Sequence, residues 1–296
     1  MRRVSTRTLT VLRPGPLALV TDLGRPGQAY LGIPRGGALD LPAFRLANRL
    51  VGNPEGLAAF ELLLGGFELR ADTGCTVAVT GPPTAVTVLR EDGTRRAVGS
   101  HRAVYLWAGD RLLVAAPDSG LRNYVGCSGG LDIPAVLGSR AADLLSGLGP
   151  QPVRAGERFP LGPASGSPAD AAPVPVSVSP DELSVPVLLG PRDDWFDQPA
   201  TALRATWWTV GSASNRIGLR LRGRPLRRCP DRAQVELPSE PMRPGAVQVP
   251  PSGQPVIFLA DGPTTGGYPV VGVVDERQLP ALGQVRPGSA LRLLPV

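Results

Sequence analysis

Glycine and proline punctuate this chain so often that long regular elements have little room. There are 37 glycines and 34 prolines in 296 residues, and they alternate with short apolar runs such as VAVT, LLVAAP and VIFLA. Glycine tolerates positive φ, and proline fixes φ and removes a backbone donor, so both favour chain reversals over continuous ladders or helices. Short apolar runs bounded by such reversals predict many short strands joined by tight turns. Hydrophobic residues are 42% of the chain, enough for a substantial core. A mainly β protein with a few short helices is the expectation.

The side-chain inventory excludes several chemistries. The formal net charge is +6, yet no lysine occurs, so all 31 basic residues are arginine. That removes a Walker lysine, a Schiff-base lysine and any lysine to carry biotin or lipoate. His101 is the sole histidine, which rules out histidine-rich metal sites and leaves no nucleophile elbow to accompany it. Cys75, Cys127 and Cys229 are too far apart for zinc spacing or a disulfide framework. Acid–base work falls to carboxylates, tyrosine, threonine or water. The arginines are scattered except for Arg220, Arg222, Arg224, Arg227 and Arg228, and aromatics are 5%. No nucleic-acid partner is expected. No run approaches the ~20 apolar residues of a membrane span, and no apolar segment follows the N-terminal arginines. A cytoplasmic protein without membrane contact is expected.

Along the chain, 8–22 reads as two strands around a Pro-Gly turn. Asp40 as N-cap, Pro42 in the first turn, apolar Leu46, Ala47, Leu50 and Val51, and Gly52 beyond the end predict a helix. Strand-like runs fill 57–116. Residues 121–149 read as a strand passing into a short helix-like segment with Leu131, Ala135 and Val136 on its apolar face; Arg140 follows as a candidate anion contact. The Pro/Ala/Ser-rich segment 163–180 reads as an extended linker. It divides an N-terminal domain, 1–162, from a C-terminal domain, 181–296.

Two polar stretches stand out. Thr21–Glu61 carries Asp22, Arg25, Asp40, Asn48, Asn53 and Glu61 among closely spaced glycines. Downstream, DGPTTGGYP at 261–269 lies between two apolar strands. Thr264 and Thr265 offer hydroxyls, Tyr268 a phenol, and Gly266 and Gly267 can take positive φ and form an anion-binding nest. An ordinary hairpin loop is the alternative. Near it in sequence are Glu240 and Gln248, while Arg216 suits a substrate carboxylate.

Taken together, these blocks carry a resemblance. TDLGRPG, GIPRGGALD, ANRLVGNPE, GGLDIPAVLGSR, GPRDDWF, NRIGLRL, GAVQV, DGPTTGGYP and ALGQVRPG follow one another over nearly the whole chain. The sequence resembles the family of biotin-dependent carboxyltransferases and 5-oxoprolinase C subunits, which includes KipA and the allophanate hydrolase subunit 2 domain. The resemblance implies two cyclophilin-like β-barrel domains. It implies a KipI-like B subunit and a LamB/YcsF-like A subunit as partners, with a small-molecule amide as substrate. The activity implied is ATP-dependent opening of 5-oxoproline to glutamate by the three components together, ATP being used by the complex and no biotin being attached to this chain. The chain alone is expected to be inactive. Two alternatives stay open: carboxyl transfer to a urea-like amide, and a KipA-like non-catalytic role against a kinase inhibitor. Within the first reading, Asp22, Arg25, Asp40, Glu61 and Glu240 are the candidate catalytic residues. Arg216, Gln248, Thr264, Thr265, Gly266, Gly267 and Tyr268 are the candidate substrate-binding residues, and no metal is expected.

Overall fold

The computed structural model describes residues 7–169 and 182–296. They form two compact units: 7–24, 40–143 and 147–169 make the first, while 25–39, 144–146 and 182–296 make the second. The Thr21–Glu61 stretch is therefore shared, with residues 25–39 belonging to the C-terminal unit. Of the segment read as a linker, Gly166 and Ser167 lie against Gly52, and the Ala169 N–H donates to the Leu50 carbonyl. Residues 170–180 lie outside the described residues.

The first unit contains β1 (Thr8–Pro14), β2 (Leu17–Thr21), α1 (Leu41–Leu50), β3 (Ala59–Leu63), β4 (Phe67–Ala71) and β5 (Cys75–Thr80). It continues with β6 (Val86–Leu89), β7 (Arg95–Ala97), β8 (Ala103–Leu106), β9 (Arg111–Val114), β10 (Arg122–Cys127) and β11 (Arg158–Pro160). Two antiparallel sheets result, ordered β11-β1-β4-β9-β6-β7 and β2-β3-β10-β5-β8. Inward side chains of both, among them Leu9, Phe60, Leu69, Leu112 and Val125, make one core. Phe60 packs between Phe67 and Phe159, with ring centroids 5.4 and 5.0 Å away.

Helix α1 forms where its caps predict. The Asp40 carboxylate accepts the Ala43 N–H, and Gly52 takes φ +77° beyond the last turn. The helix packs closely on β10 because residue 126 is glycine: a Cβ there would lie 2.7 Å from the Ala47 carbonyl oxygen. The helix expected after Leu131 does not form. Leu137 and Gly138 both take positive φ, so the chain reverses between Val136 and Ser139 instead of winding into a right-handed helix. Leu131 instead bridges Leu161, and Val136 bridges Ser139.

In the second unit are β12 (Glu182–Leu189), α2 (Pro199–Ala205), β13 (Trp207–Val210), β14 (Gly218–Arg222), β15 (Glu240–Pro241) and β16 (Ala246–Gln248). After these come β17 (Val256–Phe258), β18 (Thr265–Gly266), β19 (Val270–Val274), α3 (Leu279–Leu282) and β20 (Ala290–Pro295). Seven strands close a barrel in the order β12-β19-β16-β17-β14-β13-β20. Trp208, Val247, Ile257, Val271 and Leu291 fill it, and Leu39 of the early segment joins the same core. The fold is mainly β with few short helices. No described helix is long and apolar enough to cross a membrane.

Candidate functional site

Buried polar groups need partners, because desolvating them unpaired costs free energy. In the first unit this requirement organises Asp40 and Glu61. Tyr124 on β10 is fully buried; its hydroxyl donates to Glu61 Oε2 at 2.9 Å and accepts the Asp40 backbone N–H at 2.8 Å. Burial, with the Glu61 and Asp40 carboxylates adding to it, pushes the Tyr124 phenol well above its ordinary range, so it remains a donor. Arg122 Nε lies 3.5 Å from Glu61 Oε1. Asp22 is held by other groups: its oxygens accept Gly24 N–H, Ser139 Oγ–H and Arg140 N–H at 2.6–2.7 Å. Arg140 in turn donates to the Ile133 carbonyl and to Asp132. Asn53 bridges the Cys127 carbonyl, the Gly129 N–H and Asn48.

The second unit is organised by an ion pair. Arg216 and Asp261 are 2% and 0% exposed, a depth at which charges must be paired. Arg216 Nε and Nη2 donate to the two Asp261 oxygens at 2.8 and 2.9 Å, a bidentate geometry. Nη2 also donates to the Gly37 carbonyl at 2.6 Å. The Gly36 N–H donates to the Ala260 carbonyl at 3.0 Å. A Cβ on Gly36 would lie 3.6 Å from Arg25 Nη1 and 3.9 Å from Asp261 Oδ1, so the pair, Arg25 and the early segment form one cluster. Arg216 thus holds segment 25–39 on the barrel.

That anchoring creates a pocket of about 130 Å³ between the early segment and the barrel strands' loops. Arg25, Gln28, Arg35, Arg243 and Thr264 supply its polar lining, with Pro26, Ile33 and Met242 among the apolar groups. Arg243 is ion-paired with Glu276, and Arg25 and Arg35 supply the other guanidinium groups, a lining that suits a small anion. The volume is well below the ~300–1,000 Å³ of pockets for drug-sized ligands.

The 261–269 loop departs from the nest reading. Neither Gly266 nor Gly267 takes positive φ, so the alternating backbone a nest needs is absent. Gly266 instead lies in β18, paired across β15 with Glu240, and Thr265 pairs with Pro241. Its role is spatial: a Cβ at 266 would lie 2.5 Å from Gln248 Nε2, which donates to the Tyr268 carbonyl. Thr265, Gly267 and Tyr268 are exposed. Glu240 is ion-paired with Arg192.

The structure therefore gathers Arg25 and Thr264 at one pocket, with Arg216 in the clamp beneath it. Glu240, Thr265 and Gly266 lie on the β15–β18 ladder, Gln248 of β16 lies against Gly266 and Tyr268, and Asp40 and Glu61 share Tyr124 in the first unit. Sequence reasoning did not select Tyr124, Asp261, Arg35 or Arg243. Asp261 opens a motif already singled out, but its partner is distant in sequence. Tyr124 sits inside an apolar strand with no local mark of its partners. Among the described residues no three His, Cys, Asp or Glu side chains group to hold a metal ion.

Comparison with known proteins agrees with this architecture. The chain is 36% identical to the 5-oxoprolinase C subunit of Escherichia coli over 97% of its own length and 90% of that protein. It is 31% identical to the Haemophilus influenzae 5-oxoprolinase C subunit, over 93% of this chain and 87% of the relative. Similarity extends to the crystal structure of the K. lactis urea amidolyase, with a TM-score of 0.89 and 28% identity; all of this chain aligns, to 19% of that much longer one. The family described as carboxyltransferase domain, subdomain A and B, matches residues 31–295, and the chain belongs to that family.

Proposed function

We propose that this chain is the C subunit of an ATP-dependent 5-oxoprolinase, which opens 5-oxoproline to glutamate together with an A and a B component. One observation carries the reading. The chain aligns nearly end to end with proteins named as 5-oxoprolinase C subunits, whereas it spans 17% of the Lachancea kluyveri urea amidolyase it also resembles. The second unit's pocket supports it, because 5-oxoproline is a small molecule with one carboxylate and one lactam. Arg25 and Arg35 would bind the carboxylate, with Arg243 held beside them by Glu276, and the Thr264 hydroxyl would orient the ring. The pocket is too small for a nucleoside triphosphate, so in this reading it takes the 5-oxoproline and not the ATP.

An unstrained lactam is a poor electrophile, and phosphoryl transfer to its oxygen would supply the activation. Asp22 and Glu240 already serve as a loop pin and an ion-pair partner, so their part is positioning. Tyr124 and Glu61 form a buried hydrogen-bonded pair suited to holding a proton, while Asp40 caps α1 and meets the Tyr124 hydroxyl through its backbone N–H, so its part is positioning too. We place the protein in the cytoplasm, inactive by itself, with a KipI-like B subunit and a LamB/YcsF-like A subunit as partners. The family match keeps carboxyl transfer to a urea-like amide as the second reading; the chain's lack of lysine then requires biotin to arrive on another protein.

The test is glutamate release from 5-oxoproline and ATP by this chain alone and with its co-encoded A and B subunits. Activity in the full mixture alone, with KM raised in Arg25→Gln, is the expected result. Turnover by the isolated chain sinks the composite-enzyme reading. A stable complex without turnover moves the assignment to carboxyl transfer or to a KipA-like regulatory role.

A further inference from the structure

The first unit leaves two strand edges open. Among the described residues β7 pairs only with β6, and β8 only with β5, each ending its sheet. The opposite end of the second sheet is covered, since Ala142 and Val153 N–H groups donate to carbonyls of β2. Between β7 and β8 the chain crosses from sheet to sheet through residues 98–102. The Val98 N–H bonds back to the Val86 carbonyl and the His101 N–H to the Val79 carbonyl. The two edges diverge there around a cleft of about 660 Å³. Val98 and Val104 reach its floor from the core; Arg96, Arg102, Tyr105 and Trp107 line its walls.

The composition of those walls is not that of a merely protected edge. Arginines on an edge strand do discourage indiscriminate pairing. Yet Trp107 and Tyr105 are 59% and 46% exposed in the same cleft, which protection alone would avoid. Their rings pack edge to face, centroids 4.9 Å apart. Tyr105 is given its place by Gly74, where a Cβ would lie 2.2 Å from the phenol oxygen. The Trp107 N–H donates to Asp110 Oδ2, fixing the strand's exit. Tryptophan, tyrosine and arginine are the residue types that dominate protein-interface energetics.

We propose that this cleft receives an extended acidic segment of another component of the same complex, added as a strand along the free edge of β8. The identity of that partner rests on the proposed function; the surface does not. Main-chain bonds to β8 would supply affinity, and carboxylates meeting Arg90, Arg96 and Arg102 would supply specificity. Self-pairing of two copies would oppose arginine to arginine. A nucleotide fits less well, because the 78° angle between the Tyr105 and Trp107 rings leaves no parallel slot for a base. Glu91 and Asp92, beside Trp107 in the adjoining hollow, bias which end of an acidic segment lies there.

The test is amide hydrogen exchange of this chain alone, with ATP, and in complex with its co-encoded A and B subunits. Exchange of the Arg102–Leu106 amides is expected to slow at least tenfold in the complex and not with ATP. Arg96→Glu with Arg102→Glu is expected to weaken assembly at least tenfold while leaving the melting temperature of the isolated chain unchanged, both side chains being exposed. Gly74→Ala, which displaces Tyr105, provides a charge-neutral second variant expected to weaken assembly. A complex that forms with β8 unprotected, or that ignores the charge reversal, overturns the proposal and leaves the oxoprolinase reading intact. Protection without 5-oxoproline turnover supports the surface and removes the enzyme assignment. Protection by ATP alone, or a homodimer disrupted by the same reversal, overturns it in favour of a nucleotide or a second copy.

Discussion

Replacing Arg216 by methionine tests whether the buried ion pair anchors segment 25–39. Arg216 and Asp261 are 2% and 0% exposed and share a bidentate contact at 2.8 and 2.9 Å. Removing one member of such a pair strands the other charge, at a cost of about 3–5 kcal/mol. Replacing both with apolar residues of similar volume is often near neutral. Against a typical stability of about 5–15 kcal/mol, the single loss would be severe. R216M should therefore lower stability by about 3 kcal/mol or more, and D261L by a similar amount. The double variant should fall far short of their sum, the mark of a coupled pair. Urea unfolding followed by tryptophan emission reports on it, because Trp195, Trp207 and Trp208 lie in the second unit. The Gly37 carbonyl also loses its guanidinium donor, so trypsin should cut after Arg35 faster than in the parent chain. A single-variant loss under about 1 kcal/mol, or additivity in the double variant, would refute the clamp.

Further outcomes follow from individual side chains. Cys75 is buried and its thiol pushed up to about 12 by desolvation, and burial raises Cys127 likewise; Cys229 is partly exposed. Ellman titration of the native protein should therefore modify Cys229 alone, and the other two only after denaturation. Burial lowers the His101 pKa below 6.5 against a smaller opposing effect of the Gly81 backbone. Its stabilising effect is full above the unfolded value and is lost as pH falls through the folded one. In H101N the melting temperature should decline less on acidification below pH 6.5 than in the parent, and asparagine suits the φ of +61° there. Gly266→Ala should cost about 1–3 kcal/mol by overpacking against Gln248, measured by thermal melting. An unchanged melting temperature would show that Gln248 moves aside freely.

How much of this was legible depended on whether the deciding interaction was local. Asp40, Pro42 and Gly52 announce α1 because capping acts within one turn, and the helix ends where they place it. The short strands follow from the spacing of glycine and proline among apolar runs. By contrast, Leu131, Ala135 and Val136 imitate a helix face, but the bridge from Leu131 to Leu161 and the turn at Leu137 and Gly138, both at positive φ, decide their backbone. Gly266 and Gly267 look like flexible nest residues, but cross-strand pairing to Glu240 and the nearness of Gln248 decide their backbone. Helix α2 has seven residues, too few for apolar periodicity to stand out.

The density of polar residues between Thr21 and Glu61 has a physical explanation that no local reading supplies. One short stretch provides buried anchors to two separate cores. Asp22 and Asp40 pin loops and a helix end in the first unit. Gly36 and Gly37 are held by the second-unit barrel through Ala260 and Arg216, and Leu39 enters that barrel's core. A chain that passes between cores within a few residues cannot hide its polar backbone in regular ladders. It needs side-chain clamps and glycines with special φ at each crossing. Gly24, Gly36 and Gly37 all take positive φ around those crossings. The pocket lined by Arg25, Arg35, Arg243 and Thr264 follows from this arrangement, since half its lining arrives on the early segment. Removing segment 25–39 would therefore remove this pocket as well as a fold element, although the barrel strands themselves lie more than a hundred residues downstream.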